Sequence, residues 1–206
     1  MPDAVIRPYR PADRDAVYDV CLRTADSGGD ATALYRDPEL VGDLFAGPYV
    51  LLCPEFAFVL DDGRRPVGYV LGVPDSTGFF KALRTEWLPL VGTRNPLPAG
   101  EPRDRDEEMA VLLHNPEGMI VPELADYPAH LHIDLLPSHQ RSGYGRKMIA
   151  TLLDALHKAG VAQVHLGMLT TNKAAGVFYE RLGFHHLDVA DRGPITFLGR
   201  STDLNG

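Results

Sequence analysis

Gln140-Arg141-Ser142-Gly143-Tyr144-Gly145 is the stretch that decides the fold. It joins two segments of different periodicity. Upstream, Ala129 to Leu136 alternates: Leu131, Ile133 and Leu135 face one way, His130, His132 and Asp134 the other, and Pro137 closes the run. Downstream, Arg146 to Ala159 carries Met148, Ile149, Leu152, Leu153 and Leu156 as one apolar helical stripe, and Gly160 ends it. Strand, glycine-bearing turn and helix bring backbone N–H groups to a helix N-terminus, where they can hold an anion, usually phosphate.

Two common glycine motifs do not fit. A nucleotide P-loop needs Gly-x-x-x-x-Gly-Lys-Ser/Thr, and no Lys-Ser or Lys-Thr follows a glycine in this chain. A dinucleotide loop needs a third glycine where Met148 stands. What remains is Gln140-x-x-Gly143-x-Gly145, which resembles the pyrophosphate loop of the GNAT superfamily of acetyl-CoA-dependent N-acetyltransferases. A second block, Asn172-Lys-Ala-Ala-Gly-Val-Phe178-Tyr179-Glu-Arg-Leu-Gly183-Phe184, resembles the same family: an Asn opens a helix, a Phe-Tyr pair follows, and Gly-Phe starts the last strands. Between the blocks, Gln163 to Leu169 has strand length.

A narrower resemblance runs from end to end. Val5-Ile-Arg-Pro-Tyr-Arg-Pro-Ala-Asp-Arg-Asp-Ala-Val-Tyr18, Gly68-Tyr-Val-Leu-Gly72, Phe79-Phe80-Lys81 with Trp87-Leu88-Pro89, and Phe197-Leu-Gly-Arg-Ser201 are similar to the C-terminal acetyltransferase-like domain of eukaryotic O-GlcNAcase. That domain departs from the superfamily at the pyrophosphate loop, whereas this chain keeps it. The resemblance implies a free-standing, cofactor-competent relative without sugar chemistry. The fold expected is α/β (α+β): a mixed, twisted sheet of about seven strands flanked by helices, splayed between strands 4 and 5, with a helical insertion between strands 3 and 4.

Composition is ordinary for a soluble protein, and 206 residues suit a single domain, 1–206, large enough to bury a core. No apolar run approaches the ~20 residues of a membrane span, and the start lacks a basic-then-apolar leader, so neither a membrane association nor a signal peptide is expected. Cys21 and Cys53 lack metal-ligand spacing and read as reduced thiols of a cytoplasmic protein, with no metal cofactor. A net charge of −8 argues against nucleic acid as partner and suits a cationic acceptor.

Ala4–Tyr9 reads as a first strand. A helix opens at Pro11-Ala-Asp, and Asp26-Ser-Gly-Gly-Asp30 breaks it. A second helix is expected from Pro38 to about Phe45, with Gly47-Pro48 marking its end. Glu55–Leu60 and Pro66–Val73 read as a hairpin about Asp61-Asp62-Gly63-Arg64. Residues 76–127 exceed what the minimal fold needs and carry two helical patterns, Thr77–Val91 and Arg105–His114. The segment reads either as a cover for a sheet edge or as an acceptor-site wall, with Phe80 and Trp87 as candidate substrate-side residues. Two last strands fall within 184–199, turned at Asp191-Arg-Gly-Pro194.

Acetyl transfer needs a pyrophosphate cradle, a polarised thioester carbonyl and a proton for the leaving thiolate. Gly143 and Gly145 let backbone approach the phosphates; Gln140, Arg141, Ser142, Tyr144 and Arg146 complete the loop. The resemblance implies that backbone at Leu135 and Leu136 pairs with the pantetheine arm and that an N–H there polarises the carbonyl. It also implies Tyr179 as the thiolate acid, with Phe178 beside it. Asn172 meets the pantetheine, caps its own helix, or both. Many histone-acetylating members have a Glu base near the start of this strand; His130 stands here instead, which leaves Asp134 first and His132 second as candidate bases. The function implied is an N-acetyltransferase using acetyl-CoA as cosubstrate, with direct attack by a primary amine, either protein lysine or a small amine. The alternative is a non-catalytic module that binds acetyl-CoA or a protein. Many relatives dimerise, so a homodimer is a further expectation of the resemblance.

Overall fold

The computed structural model describes residues 4–190 and 193–204; the turn expected at Asp191-Arg192 and the first three residues lie outside them. Seven strands form one sheet in the order β1-β2-β3-β4-β5-β7-β6. They are β1 (Val5–Pro8), β2 (Ala57–Asp61), β3 (Pro66–Val73), β4 (Ala129–Leu135), β5 (Gln163–Leu169), β6 (His185–His186) and β7 (Ile195–Ser201). Every neighbouring pair is antiparallel except β4–β5, which is parallel. This is the splayed, mixed sheet expected from the sequence.

The front helices are α1 (Arg14–Leu22), α2 (Leu40–Phe45) and α3 (Gly47–Leu52). Between β3 and β4 come α4 (Ser76–Ala82), a π turn over Leu83–Trp87, α5 (Leu88–Val91) and α6 (Arg105–Leu113). The back helices are α7 (Tyr144–Lys158) and α8 (Lys173–Glu180). In α7, Met148, Ile149, Leu152, Leu153 and Leu156 are all buried, so the stripe read from spacing is the face against the sheet. Each such side chain contributes roughly 1.5–3 kcal/mol. Gly72 of β3 gives the stripe room: a Cβ there would lie 2.7 Å from Leu152 Cδ1. Helix α7 begins at Tyr144, two residues before the expected Arg146, because Gly143, at φ 81°, makes the turn into it.

One boundary differs from the sequence reading. Gly47-Pro48 does not end the helical region; it opens α3. Proline is at home in a first helical turn, where its missing N–H has no partner to lose. Gly47 is required by proximity: a Cβ would lie 2.2 Å from Tyr18 Oη and 2.5 Å from Trp87 Cζ2. Both rings are held in place, Tyr18 Oη donating to Asp43 Oδ1 at 3.0 Å and Trp87 Nε1 donating to the Asp43 carbonyl at 2.7 Å. Neither can step aside. Gly47→Ala should therefore destabilise the fold by about 1–3 kcal/mol, the range of overpacked cores, read as a lower urea midpoint at unchanged slope.

Candidate active site

The parallel ladder holds only two pairs, Ala129↔Val164 and His130↔His165. Beyond them β4 continues along β3 to Leu135, and β5 continues along β7 to Leu169. The two strands part, and a cleft opens between residues 131–135 and 166–169. The Leu136 N–H donates to the Val67 carbonyl at 2.9 Å. Main-chain groups alternate sides along an antiparallel ladder. His132 and Asp134 therefore also turn theirs to β3, while Leu131, Ile133 and Leu135 turn theirs into the cleft. This corrects one expectation: Leu136 cannot offer its N–H to a cofactor. Ile133 and Leu135 are the residues that turn backbone to the cleft, and the Leu135 carbonyl accepts from Gln140 Nε2 at 2.8 Å.

The loop after β4 has the geometry of an anion cradle. Arg141 and Gly143 both sit in the left-handed region, at φ 59° and 81°, so successive N–H groups turn toward the start of α7. Space does not require Gly143, since a Cβ there meets nothing within 4 Å; its backbone angle does. Gly145 is different, because a Cβ would lie 3.1 Å from Phe178 Cζ. Phe178 thus packs α8 against the first turn of α7. Arg141, Ser142 and Arg146 are exposed on the loop. The Tyr144 hydroxyl accepts from the Ala4 N–H at 3.3 Å, so this side chain fastens the loop to the start of β1. Asn172 caps α8, its Oδ1 accepting from the Ala175 N–H at 3.1 Å.

Asp134 and Tyr179 lie close enough to interact, while the His132 ring packs against Tyr49 and Phe45. Tyr69 of β3 donates its hydroxyl to Asp134 Oδ2 at 2.6 Å. Burial pushes the Asp134 carboxyl up to about 6, against the Tyr69 hydrogen bond, which favours the charged form. Burial, then the Asp134 charge, raise the Tyr179 phenol above its ordinary value, so the two side chains feel one another across the cleft. Burial, then His165, push His132 down to about 4. His130 is enclosed and engaged at both nitrogens, Nε2 with Tyr49 Oη and Nδ1 with Ser76 Oγ, each at 2.8 Å. Burial, then His132 and His165, push it well below the usual imidazole range.

Trp87 is not an acceptor wall. It is buried against Gly47 with its N–H spent on Asp43, which makes this part of the insertion scaffold. Phe80 reaches the site only through His130, on which it stacks at 5.3 Å and 5°. Sequence reasoning missed Tyr69, Tyr49, Ser76 and His165. Tyr69 was the reachable one: once β3 pairs with β4, the register sets it opposite Asp134.

The comparisons agree with this geometry. Residues 106–186 match the family model described as an acetyltransferase (GNAT) domain. The crystal structure of SsHAT is 56% identical, with a TM-score of 0.94, covering 98% of this chain and 100% of that one. The chain belongs to the GNAT acetyltransferase superfamily. Protein O-GlcNAcase of Rattus norvegicus is 29% identical over 200 residues, which is 95% of this chain and 22% of that protein. This GNAT chain therefore spans about a fifth of the length of the curated O-GlcNAcases it matches. The PaiA N-acetyltransferase of Thermoplasma acidophilum, in complex with coenzyme A, shares the fold at 11% identity, with a TM-score of 0.59 and coverage of 97% of this chain and 99% of that one. Among the described residues, no cluster of His, Cys, Asp and Glu could hold a metal ion, and no helix is long and apolar enough to cross a membrane.

The raised Asp134 value has a consequence for stability. Between pH ~4 and ~6 the folded chain holds a proton that the unfolded chain has lost, so stability falls as pH rises through that window. Asp134→Asn removes the charge and keeps an acceptor for Tyr69. It should raise the Tm at pH 7.5, by about 1 kcal/mol equivalent, as relief of a strained functional site commonly does. The gap from the parent should shrink toward pH 4. A gap independent of pH would show that Asp134 titrates at its ordinary value.

Proposed function

We propose that this chain moves the acetyl group of acetyl-CoA to a primary amine by direct attack. The observation that carries this reading is the cleft between β4 and β5, with Asp134 and Tyr179 electrostatically coupled across it and a left-handed loop at its end. The fit to the cosubstrate rests on three features. Arg141 and Gly143 bend the loop so that N–H groups gather at the α7 N-terminus, which suits a pyrophosphate. Arg141 and Arg146 are exposed there to add charge. Ile133 and Leu135 turn backbone toward the cleft, which suits a pantetheine arm whose amides need partners. Asn172 spends Oδ1 on its helix and keeps an amide N–H for the same arm.

In this reading Asp134 accepts the proton that leaves nitrogen as the C–N bond forms. The magnitudes favour it over His132, since a group near 6 is a base about two units stronger than one near 4. An N–H of Ile133 or Leu135 stabilises the developing oxyanion. Tyr179, held neutral by its raised value, donates its hydroxyl to the sulfur as charge builds there. The acceptor is a protein lysine or a small amine, and the acidic balance of the chain favours a cationic one. Both cysteines are free, which fits a reducing, cytoplasmic setting and one GNAT domain without disulfides.

Two measurements test the proposal. Acetyl-CoA should raise the melting temperature of the parent by mass action, while Gly143→Val, whose side chain disfavours the left-handed turn, should lose that shift and still fold. Release of free CoA thiol with spermidine or a lysine peptide should fall by ~10²–10⁴-fold in Tyr179→Phe, with acetyl-CoA binding kept. Binding without thiol release across a wide amine panel would mark the chain as a cofactor-holding module. No binding at millimolar acetyl-CoA would remove the reading altogether.

A further inference from the structure

We propose that Tyr69 is a positioning residue for the acetyl transfer, its hydroxyl fixing Oδ2 of Asp134 so that Oδ1 faces the acceptor amine. The inference rests on the reading of Asp134 as the base. Tyr69 is 0% exposed, so it cannot touch a substrate itself. Asp134 is only part-buried, so a bound molecule can reach it. The two are cross-strand partners in the β3–β4 ladder, and their side chains leave the sheet on the same face. The phenol has one proton, and the 2.6 Å contact commits it to Oδ2.

The surroundings make this hydrogen bond decisive. Asp134 is faced by Tyr69 from β3, Cys21 from α1 and Thr24 just beyond its end, Tyr179 from α8, and His132 on its own strand. The Thr24 hydroxyl donates to the Val20 carbonyl at 2.8 Å, and beside Asp134 it favours the carboxylate less than Tyr69 does. Burial pushes the Cys21 thiol up to about 12 and raises Tyr179, while His132 lies near 4. At neutral pH these neighbours are uncharged, and no cation among them supports the carboxylate. The charge-assisted hydrogen bond from Tyr69 is the largest contribution that offsets its desolvation.

The test is a ¹³C NMR titration of the carboxyl carbon of Asp134 in the whole chain, with the resonance assigned by Asp134→Asn. The parent should titrate near 6. Tyr69→Phe keeps the ring and removes only the donor. Its midpoint should move up by about 1–2 units, the equivalent of a lost hydrogen bond to a charged group. The acid limb of thiol release, measured with spermidine as acceptor, should move by the same amount. Turnover at pH 7 should then drop and recover with alkali, with the KM for acetyl-CoA unchanged. Global replacement of tyrosine by 3-fluorotyrosine, a stronger donor, should move the Asp134 midpoint down, and it serves equally if Tyr69→Phe does not fold. An unmoved midpoint with a lowered Tm would make Tyr69 a packing residue and overturn the proposal. Full turnover in Asp134→Asn would instead overturn the base assignment, and that outcome is separate from the titration.

Discussion

The shortness of the β4–β5 ladder governs the molecule. Each strand is committed along its length to an antiparallel partner on its other side, β4 to β3 and β5 to β7. Two parallel pairs hold them together at Ala129 and His130, and then they diverge. The main-chain groups of Ile133 and the N–H of Leu135 are left facing a gap, while the Leu135 carbonyl accepts from Gln140. Buried polar groups without partners cost roughly 1–3 kcal/mol each, so such a gap persists only where water or a ligand can serve them. Packing holds it open from behind. Helix α7 lies under β3, with Leu152 filling the space left by Gly72. Helix α8 leans on β5 through Gly176 and Met168, and on α7 through Phe178 and Gly145. The opening is therefore a property of the whole back layer.

The front layer is tied down at two polar nodes. His130 is the first. Ser76 Oγ donates to the Pro128 carbonyl at 2.7 Å, so it must accept from His130 Nδ1. The other ring nitrogen then accepts from Tyr49, which fixes a neutral tautomer and joins α3 and α4 to β4. Asp43 is the second. Its buried carboxylate is met by Tyr18, Arg94 and Asn95, and its carbonyl by Trp87. Removing one partner from such a network leaves a buried charge or dipole exposed to nothing, which makes it rigid. Residues 76–95 are thereby fixed to α2 and α3.

The sequence made the order of elements legible because its signals were local. The α7 stripe, the alternation of β4 and the glycines of the loop each depend on neighbours a few residues away. What it hid depends on approach between distant segments. Gly47 reads as a helix end until Tyr18 and Trp87 are seen against it. Trp87 reads as a wall because an aromatic cluster has no address in a sequence, and one hydrogen bond to Asp43 gives it one. Leu136 resembled a cofactor contact because the side each N–H faces is set by strand register, and here Val67 takes it. Tyr69 comes into view only once that register is drawn, which sets it opposite Asp134.

The ranking of bases on β4, Asp134 ahead of His132, finds its physical reason in burial. Read as isolated residues, His132 near 6.5 is a better base at neutral pH than an aspartate near 4. Enclosure penalises whichever form is charged. For imidazole that is the protonated form, so His132 falls to about 4. For carboxyl it is the deprotonated form, so Asp134 climbs to about 6. The same wall of side chains thus disables one candidate and improves the other. The improvement has a limit, because a carboxyl raised much further would be protonated and useless at neutral pH. In the proposed reading the Tyr69 hydrogen bond does most to hold it on the useful side, and the β3 register is what brings that hydroxyl to Asp134.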